Sequence, residues 1–207
     1  MIDIIKVDKK IKDKSILNNI SIHINKGNCV GFIGHNGSGK SMLLKSICGF
    51  TPISNGEILV DENKIKFGEN FIKNAGIIIE QPSFINHLTA FENLVILADI
   101  RKIINKEEIL QTLEEVGLSH AKDQKVKEFS LGMKQRLRIA QAIMEKPEVL
   151  ILDEPFNGLD KESITEVQNI LIEQKNSGVT IILTSHDERQ INLLCDEVYE
   201  FNRGALI

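Results

Sequence analysis

Gly34-His35-Asn36-Gly37-Ser38-Gly39-Lys40-Ser41 matches the pattern G-x-x-x-x-G-K-[ST] at every fixed position. The run before it, Cys29-Val30-Gly31-Phe32-Ile33, predicts a buried strand, and Met42-Leu43-Leu44-Lys45-Ser46-Ile47 after it predicts a helix. A strand, a glycine-rich loop and a helix in that order make a cradle for phosphate. The glycines let backbone N–H groups curl around phosphate oxygens. The helix N-terminus adds its partial positive charge. Lys40 is placed to reach the β- and γ-phosphates of a nucleotide, and the Ser41 hydroxyl to bind Mg²⁺. A plain glycine-rich turn would not require these flanks.

Outward from the loop, strand and helix signals alternate. Ile20, Ile22 and Ile24 alternate with Ser21, His23 and Asn25, the pattern of a half-buried strand with His23 on its polar face. Gly27-Asn28 turns the chain, and Gly49 is placed to cap the helix after the loop. Glu57 to Val60 and Gly76 to Glu80 predict short strands. The middle of the chain changes character. Thr89 with Glu92 and Asn105 with Glu108 predict helix starts of the capping-box kind. Ile109, Leu110, Leu113 and Val116 are expected on one face of the second helix, stopped by Gly117. Ser130 is expected to cap a third helix running towards Met144. Val149-Leu150-Ile151-Leu152 is a continuous apolar run, as for a strand buried on both faces. A helix after Asp160 and a strand at 179–183 follow. The alternation argues for an α/β fold with a mostly parallel sheet.

The chain has 207 residues, of which 42% are hydrophobic, enough for one large domain or a core with a lobe. Its net charge of −4 gives no support to a nucleic-acid partner. The lysines at positions 6, 9, 10, 12 and 14 are expected on a solvated strand edge and turn. No run approaches the ~18 apolar residues of a membrane span, and the N-terminus lacks a signal-peptide layout, so a cytosolic chain is expected. Cys29, Cys48 and Cys195 are expected as reduced core thiols.

Two further stretches carry chemistry. Asp153 and Glu154 follow directly on the apolar strand, and in a parallel sheet ligands sit at the carboxyl ends of strands. Asp153 is therefore placed to hold Mg²⁺ through its water shell, and Glu154 to polarise an attacking water. Phe129-Ser130-Leu131-Gly132-Met133-Lys134-Gln135-Arg136 offers a hydroxyl and backbone donors at a helix start, which is either an anion site or an ordinary cap.

In chain order these motifs, with Gln81 after a strand, Asn157-Gly158-Leu159-Asp160 and Thr184-Ser185-His186-Asp187, resemble the nucleotide-binding domain of the ATP-binding cassette family. The resemblance covers essentially the whole chain. It implies a P-loop NTPase core with an N-terminal antiparallel β portion and an inserted helical subdomain, the core at 1–83 and 147–207 and the helical part at 84–146. It implies that Gly34 to Ser41, with His35, Asn36, Gly37, Ser38, Gly39 and Lys40, bind ATP. Ser41, Gln81 and Asp153 would hold Mg²⁺. Glu154 would be the catalytic glutamate, with Gln81 and His186 assisting. Ser130, Gly132 and Asp160 would face the nucleotide held by a second copy or a homologous subunit. The implied function is an ATPase subunit of a transporter, cytoplasmic and peripheral on the inner face of the cell membrane, with transmembrane permease subunits on separate chains and no nucleic acid. The chain ends soon after the core, so no C-terminal regulatory domain is expected. Two departures stand out. Leu131 occupies a signature position usually held by glycine, a form resembling the drug-resistance and antimicrobial-peptide-immunity branch of bacterial transporters. Ile11 stands where an aromatic residue often stacks on adenine, which leaves selectivity for ATP over GTP open. The rival classes are a soluble cassette ATPase acting on DNA or ribosomes and a P-loop kinase.

Overall fold

The computed structural model describes residues 1–80 and 83–207. The chain begins with β1 (Ile2–Ile11) and β2 (Lys14–Ile24), then β3 (Cys29–Ile33), α1 (Lys40–Ile47), β4 (Asn55–Val60), β5 (Asn63–Lys64) and β6 (Ala75–Ile78). Three helices follow: α2 (Ala90–Arg101), α3 (Lys106–Glu115) and α4 (Leu131–Ile143). The last part holds β7 (Val149–Leu152), α5 (Lys161–Asn176), β8 (Thr180–Ser185), β9 (Glu197–Asn202) and β10 (Ala205–Leu206).

Two sheets result. The first, β2-β1-β4-β5, is antiparallel throughout. The second runs β10-β9-β3-β8-β7-β6 and is parallel except for β10 at its edge. The alternation along β7 shows why its sequence is apolar at every position. Val149 and Ile151 face a core shared with the antiparallel sheet and α1, where they meet Ile2, Ile4, Ile22, Phe32 and Leu44. Leu150 and Leu152 face the opposite core, built with α2 to α5 and containing Leu94, Leu113, Leu137, Val167 and Leu171. A strand with helix or sheet on both faces cannot afford a polar residue on either.

The helices start and stop where local chemistry sets them. Thr89 and Glu92 form a reciprocal capping box at α2, and Asn105 and Glu108 another at α3. Past α1, the Gly49 amide bonds to the Ser46 carbonyl and the Phe50 amide to the Lys45 carbonyl, with Gly49 at φ +81°. That double closure needs a left-handed residue, which glycine supplies without a Cβ clash.

Three details differ from the sequence expectations, and the cysteines add a contact that the sequence does not show. Strand β6 ends at Ile78, two residues early, and Glu80 adopts φ +63° with its carboxylate paired to Lys45 on α1. Leu110 is exposed while Ile109, Leu113 and Val116 are buried, because adjacent helical residues point about 100° apart. Lys9 leaves the solvated lysine run. It shares the inner face of β1 with Val7, and its ammonium donates to Thr51 Oγ1 (2.9 Å) and to the Pro52 carbonyl. Burial lowers its pKa. Cys29 and Cys195, far apart in sequence, lie with their sulfurs 3.5 Å apart. All three cysteines are free thiols, and burial pushes Cys48 up to about 12.

Parallel pairing brings three strand ends to one place. Ile33 pairs beside Ser185, and Leu152 beside Leu183. The residues that follow those strands, Gly34, Asp153 and His186, therefore emerge together.

Candidate functional site

The loop between β3 and α1 is pressed against the body of the protein. A methyl placed on Gly34 would lie 2.3 Å from the Phe201 carbonyl oxygen, and one on Gly39 would lie 2.9 Å from the Ile16 carbonyl oxygen. Both residues also have positive φ, +139° and +114°. Glycine is therefore required here by the fold as well as by any phosphate. His35, Asn36 and Gly37 form the exposed crest of the loop, and Ser38 lies beneath it. The Ser38 hydroxyl is buried and has no hydrogen-bond partner among the described residues.

Lys40 opens α1 and is only 5% exposed. Its ammonium donates to the Gly34 carbonyl (2.6 Å) and the His35 carbonyl (3.3 Å), and stands 3.7 Å from Glu154 Oε1. That carboxylate oxygen is buried and has no hydrogen bond among the described residues, so the lysine charge is its nearest compensation. The other oxygen, Oε2, lies 2.8 Å from His186 Nδ1. Asp153 Oδ1 accepts from the Ser41 hydroxyl (3.0 Å) and from the Thr184 hydroxyl (2.7 Å). Lys40, Ser41, Asp153, Glu154 and His186 thus form one connected polar group at the carboxyl end of the parallel sheet. A cavity of about 150 Å³ lies alongside, lined by Ile78, Glu80, Gln135, Asp153, Glu154 and Asn157.

A second group lies apart from the first. The Ser130 hydroxyl caps α4 by accepting from the Met133 amide (3.2 Å). Asp160 caps α5 by accepting from the Ser163 amide (2.8 Å), and that bond holds its carboxyl below the usual carboxylate range. The two helix starts touch. A methyl on Gly132 would sit 2.5 Å from Ser163 Oγ, and one on Gly158 would sit 3.0 Å from Leu131 Cδ2. Gly132 is buried while Ser130 and Asp160 are exposed. Among the described residues, no hydrogen bond joins this group to the glycine-rich loop. Ile11 sits at the tip of the β1–β2 hairpin, paired with Lys14, and is 47% exposed. Gln81 lies outside the described residues.

The sequence alone singled out neither Gln135 nor Thr184 for a role. For Thr184 a signal existed: a hydroxyl residue that follows directly on the apolar run Ile181-Ile182-Leu183 of a buried strand. For Gln135 there was none, since a glutamine in a helix is ordinarily solvated.

Comparison with known proteins agrees with this architecture. The profile of the ABC transporter family matches residues 17–157, more than half of the chain. The chain is similar to the uncharacterised ABC transporter ATP-binding protein YybJ of Bacillus subtilis, 44% identical over 206 residues, spanning all of this chain and 94% of the relative. It is also similar to the bacitracin transport ATP-binding protein BcrA of Enterococcus faecalis, 37% identical over 207 residues, covering 96% of this chain but 65% of that longer relative. Among solved structures it resembles MJ1267, an ATP-binding cassette of an ABC transporter in its ADP conformation, with a TM-score of 0.87 at 26% identity over 100% of this chain and 89% of the other.

Proposed function

The chain belongs to the ABC transporter family, and from that premise we propose that it is an ATPase: it binds ATP with Mg²⁺ and hydrolyses it to drive membrane-spanning partners on separate chains. It works on the inner face of the membrane as a head-to-tail pair with a second copy or a homologous subunit. The likeness to BcrA extends the reading to transport of compounds of the bacitracin kind.

The observation that carries the reading is the convergence of Lys40, Asp153, Glu154 and His186 at the mouth of the glycine-rich loop. An ammonium folded onto its own loop carbonyls is available to triphosphate oxygens, which are stronger acceptors. The paired hydroxyl and carboxylate of Ser41 and Asp153 are hard oxygen donors, the set Mg²⁺ prefers. With Gln81 they would hold the ion, which when bound neutralises charge on the β- and γ-phosphates. Glu154 takes a proton from water as the water oxygen bonds the γ-phosphorus. The bond from that phosphorus to the β–γ bridging oxygen breaks, leaving ADP and phosphate. His186, which shares a hydrogen bond with Glu154, reaches the same phosphate. Ser130, Gly132 and Asp160 meet the nucleotide held by the other subunit, so ATP joins the two copies and its hydrolysis releases them.

The test is Glu154→Gln. Nucleotide binding should persist, turnover should fall by at least ~100-fold, and an ATP-dependent dimer should accumulate. Unchanged hydrolysis rejects Glu154 as the base. Lys40→Ala should instead weaken nucleotide binding, and normal affinity in that variant contradicts the assignment of the loop.

A further inference from the structure

Thr184 is fully buried at the end of β8, beside the point where β7 gives way to Asp153. Its hydroxyl donates its proton to Asp153 Oδ1 at 2.7 Å and accepts the Glu154 backbone N–H at 2.8 Å. Glu154 has φ +48°, a left-handed conformation that a non-glycine residue keeps only where its surroundings fix it. The bond from Thr184 grips the amide that enters this turn. Asp153 Oδ1 is also the oxygen that receives the Ser41 hydroxyl. One side chain therefore ties a carboxylate to the backbone of the next carboxylate, and through Oδ1 to the first turn of α1.

We propose that Thr184 is a positioning residue for hydrolysis: its hydroxyl sets the orientation of Asp153 and the turn that aims Glu154, and so fixes the two carboxylates relative to each other. This rests on the assignment of Asp153 and Glu154 above. Threonine suits the task because its β-branch restricts χ1 in a strand and keeps the hydroxyl on station. Valine has nearly the same shape and removes both hydrogen bonds, leaving the packing of β8 intact. Serine keeps both bonds with a looser rotor.

The experiment compares Thr184→Val and Thr184→Ser in the whole chain. For valine, kcat should fall by about 10- to 100-fold, the loss that a misplaced reacting group brings, with KM for ATP within about threefold. The Mg²⁺ concentration for half-maximal nucleotide binding should rise several-fold. In nucleotide-free ¹⁵N-labelled protein, the Glu154 amide should exchange with solvent faster than in the parent. Serine should restore all three to within about threefold. The proposal is overturned if valine leaves magnesium dependence and Glu154 exchange at parental values, or if serine is as damaging as valine. Should valine fail to fold, the serine variant and the exchange measurement decide the matter. A parent chain that neither binds nor hydrolyses ATP defeats the proposed function instead, and amide exchange still reads the Thr184 bond.

Discussion

Gly132→Ala separates two roles that one residue would otherwise confound. Gly132 is the second residue of α4 and is buried against α5. A methyl there would lie 2.5 Å from Ser163 Oγ and 3.3 Å from Ser163 Cβ, where ordinary contact begins near 3.4 Å. The hydroxyl is thus about 0.9 Å too close and the Cβ only marginally so. A serine hydroxyl can turn away, at about 0.5–1.5 kcal/mol if it is pushed off its rotamer. Against that, alanine is favoured over glycine inside a helix by up to about 1 kcal/mol, and by less in the first turn. The two terms nearly cancel. Gly132→Ala should stay within about 1 kcal/mol of the parent, a Tm shift of less than about 4 °C for a chain this size. Ser163→Ala removes the obstruction, so a double-mutant cycle followed by urea unfolding should show about 1 kcal/mol of coupling. Coupling below about 0.3 kcal/mol refutes the contact, and a loss above about 3 kcal/mol in Gly132→Ala means that backbone rather than hydroxyl limits the approach. In the Glu154→Gln background, Ser163→Ala should still dimerise with ATP. If Gly132 must also let a phosphate come close, the Gly132→Ala and Ser163→Ala pair should fold well and fail to dimerise.

Gly76→Ala should be far more damaging, because the new methyl would lie 2.0 Å from the Ala142 carbonyl oxygen and 2.7 Å from Leu150 Cδ2. A helix carbonyl cannot rotate away, so a loss of about 3 kcal/mol or more in chemical denaturation is expected, and a loss below about 1 kcal/mol contradicts the packing of α4 on β6. Acid should weaken the helix starts. The Ser163 amide lowers Asp160, the Thr89 amide lowers Glu92, and Lys146 lowers Glu108. A carboxyl lowered by folding stabilises above its ordinary value and loses that contribution as pH falls through the folded value. The melting temperature should therefore drop below about pH 4, and Asp160→Asn should shrink the drop; an unchanged slope in that variant removes the α5 cap from the account. His23 is raised by its hydrogen bond to Asp3 at 2.6 Å, so protonation favours the fold and this contribution fades as pH rises through the folded value. An NMR titration of Asp3→Asn should find His23 shifted down towards its ordinary value, and an unmoved His23 would assign the shift to Asn25 and Glu197 instead.

What could be read in advance was what short stretches encode by themselves. The glycine-rich loop carries its strand and helix with it, and Val149 to Leu152 declares two buried faces by having no polar residue. The capping boxes at Thr89 and Asn105 need only four residues each. What escaped depends on register between distant segments. Lys9 is buried because β1 places it with Val7 facing the turn after α1. Cys29 and Cys195 meet because β3 and the segment before β9 run side by side. Thr184 gains its two partners only when β8 is laid against β7 with Leu152 beside Leu183. No local pattern marks Lys9 or the two cysteines, and the hydroxyl that follows the apolar run of β8 does not name its partners until the sheet order is known.

Sheet order also bears on why a single copy leaves part of its equipment facing outward. Gln135 on α4 lines the cavity beside Asp153 and Glu154, so that side of the helix faces the carboxylates of its own chain. Ser130 lies five residues earlier, about 7.5 Å back along the axis and about 140° around it. It is exposed, and Gly132, two residues on, packs against Ser163 in the first turn of α5. The start of α4, capped by a neutral serine and with no acidic residue in its first turn, is a favourable place for an anion, whereas Asp160 and Glu162 already bring negative charge to the start of α5. Lys40 stands 3.7 Å from Glu154, on the Gln135 side of α4, so a phosphate held by that lysine would lie away from the Ser130 cap, whose anion would come from outside the chain. In the proposed head-to-tail pairing a second subunit would be the source, and its nucleotide would become part of the contact between the two.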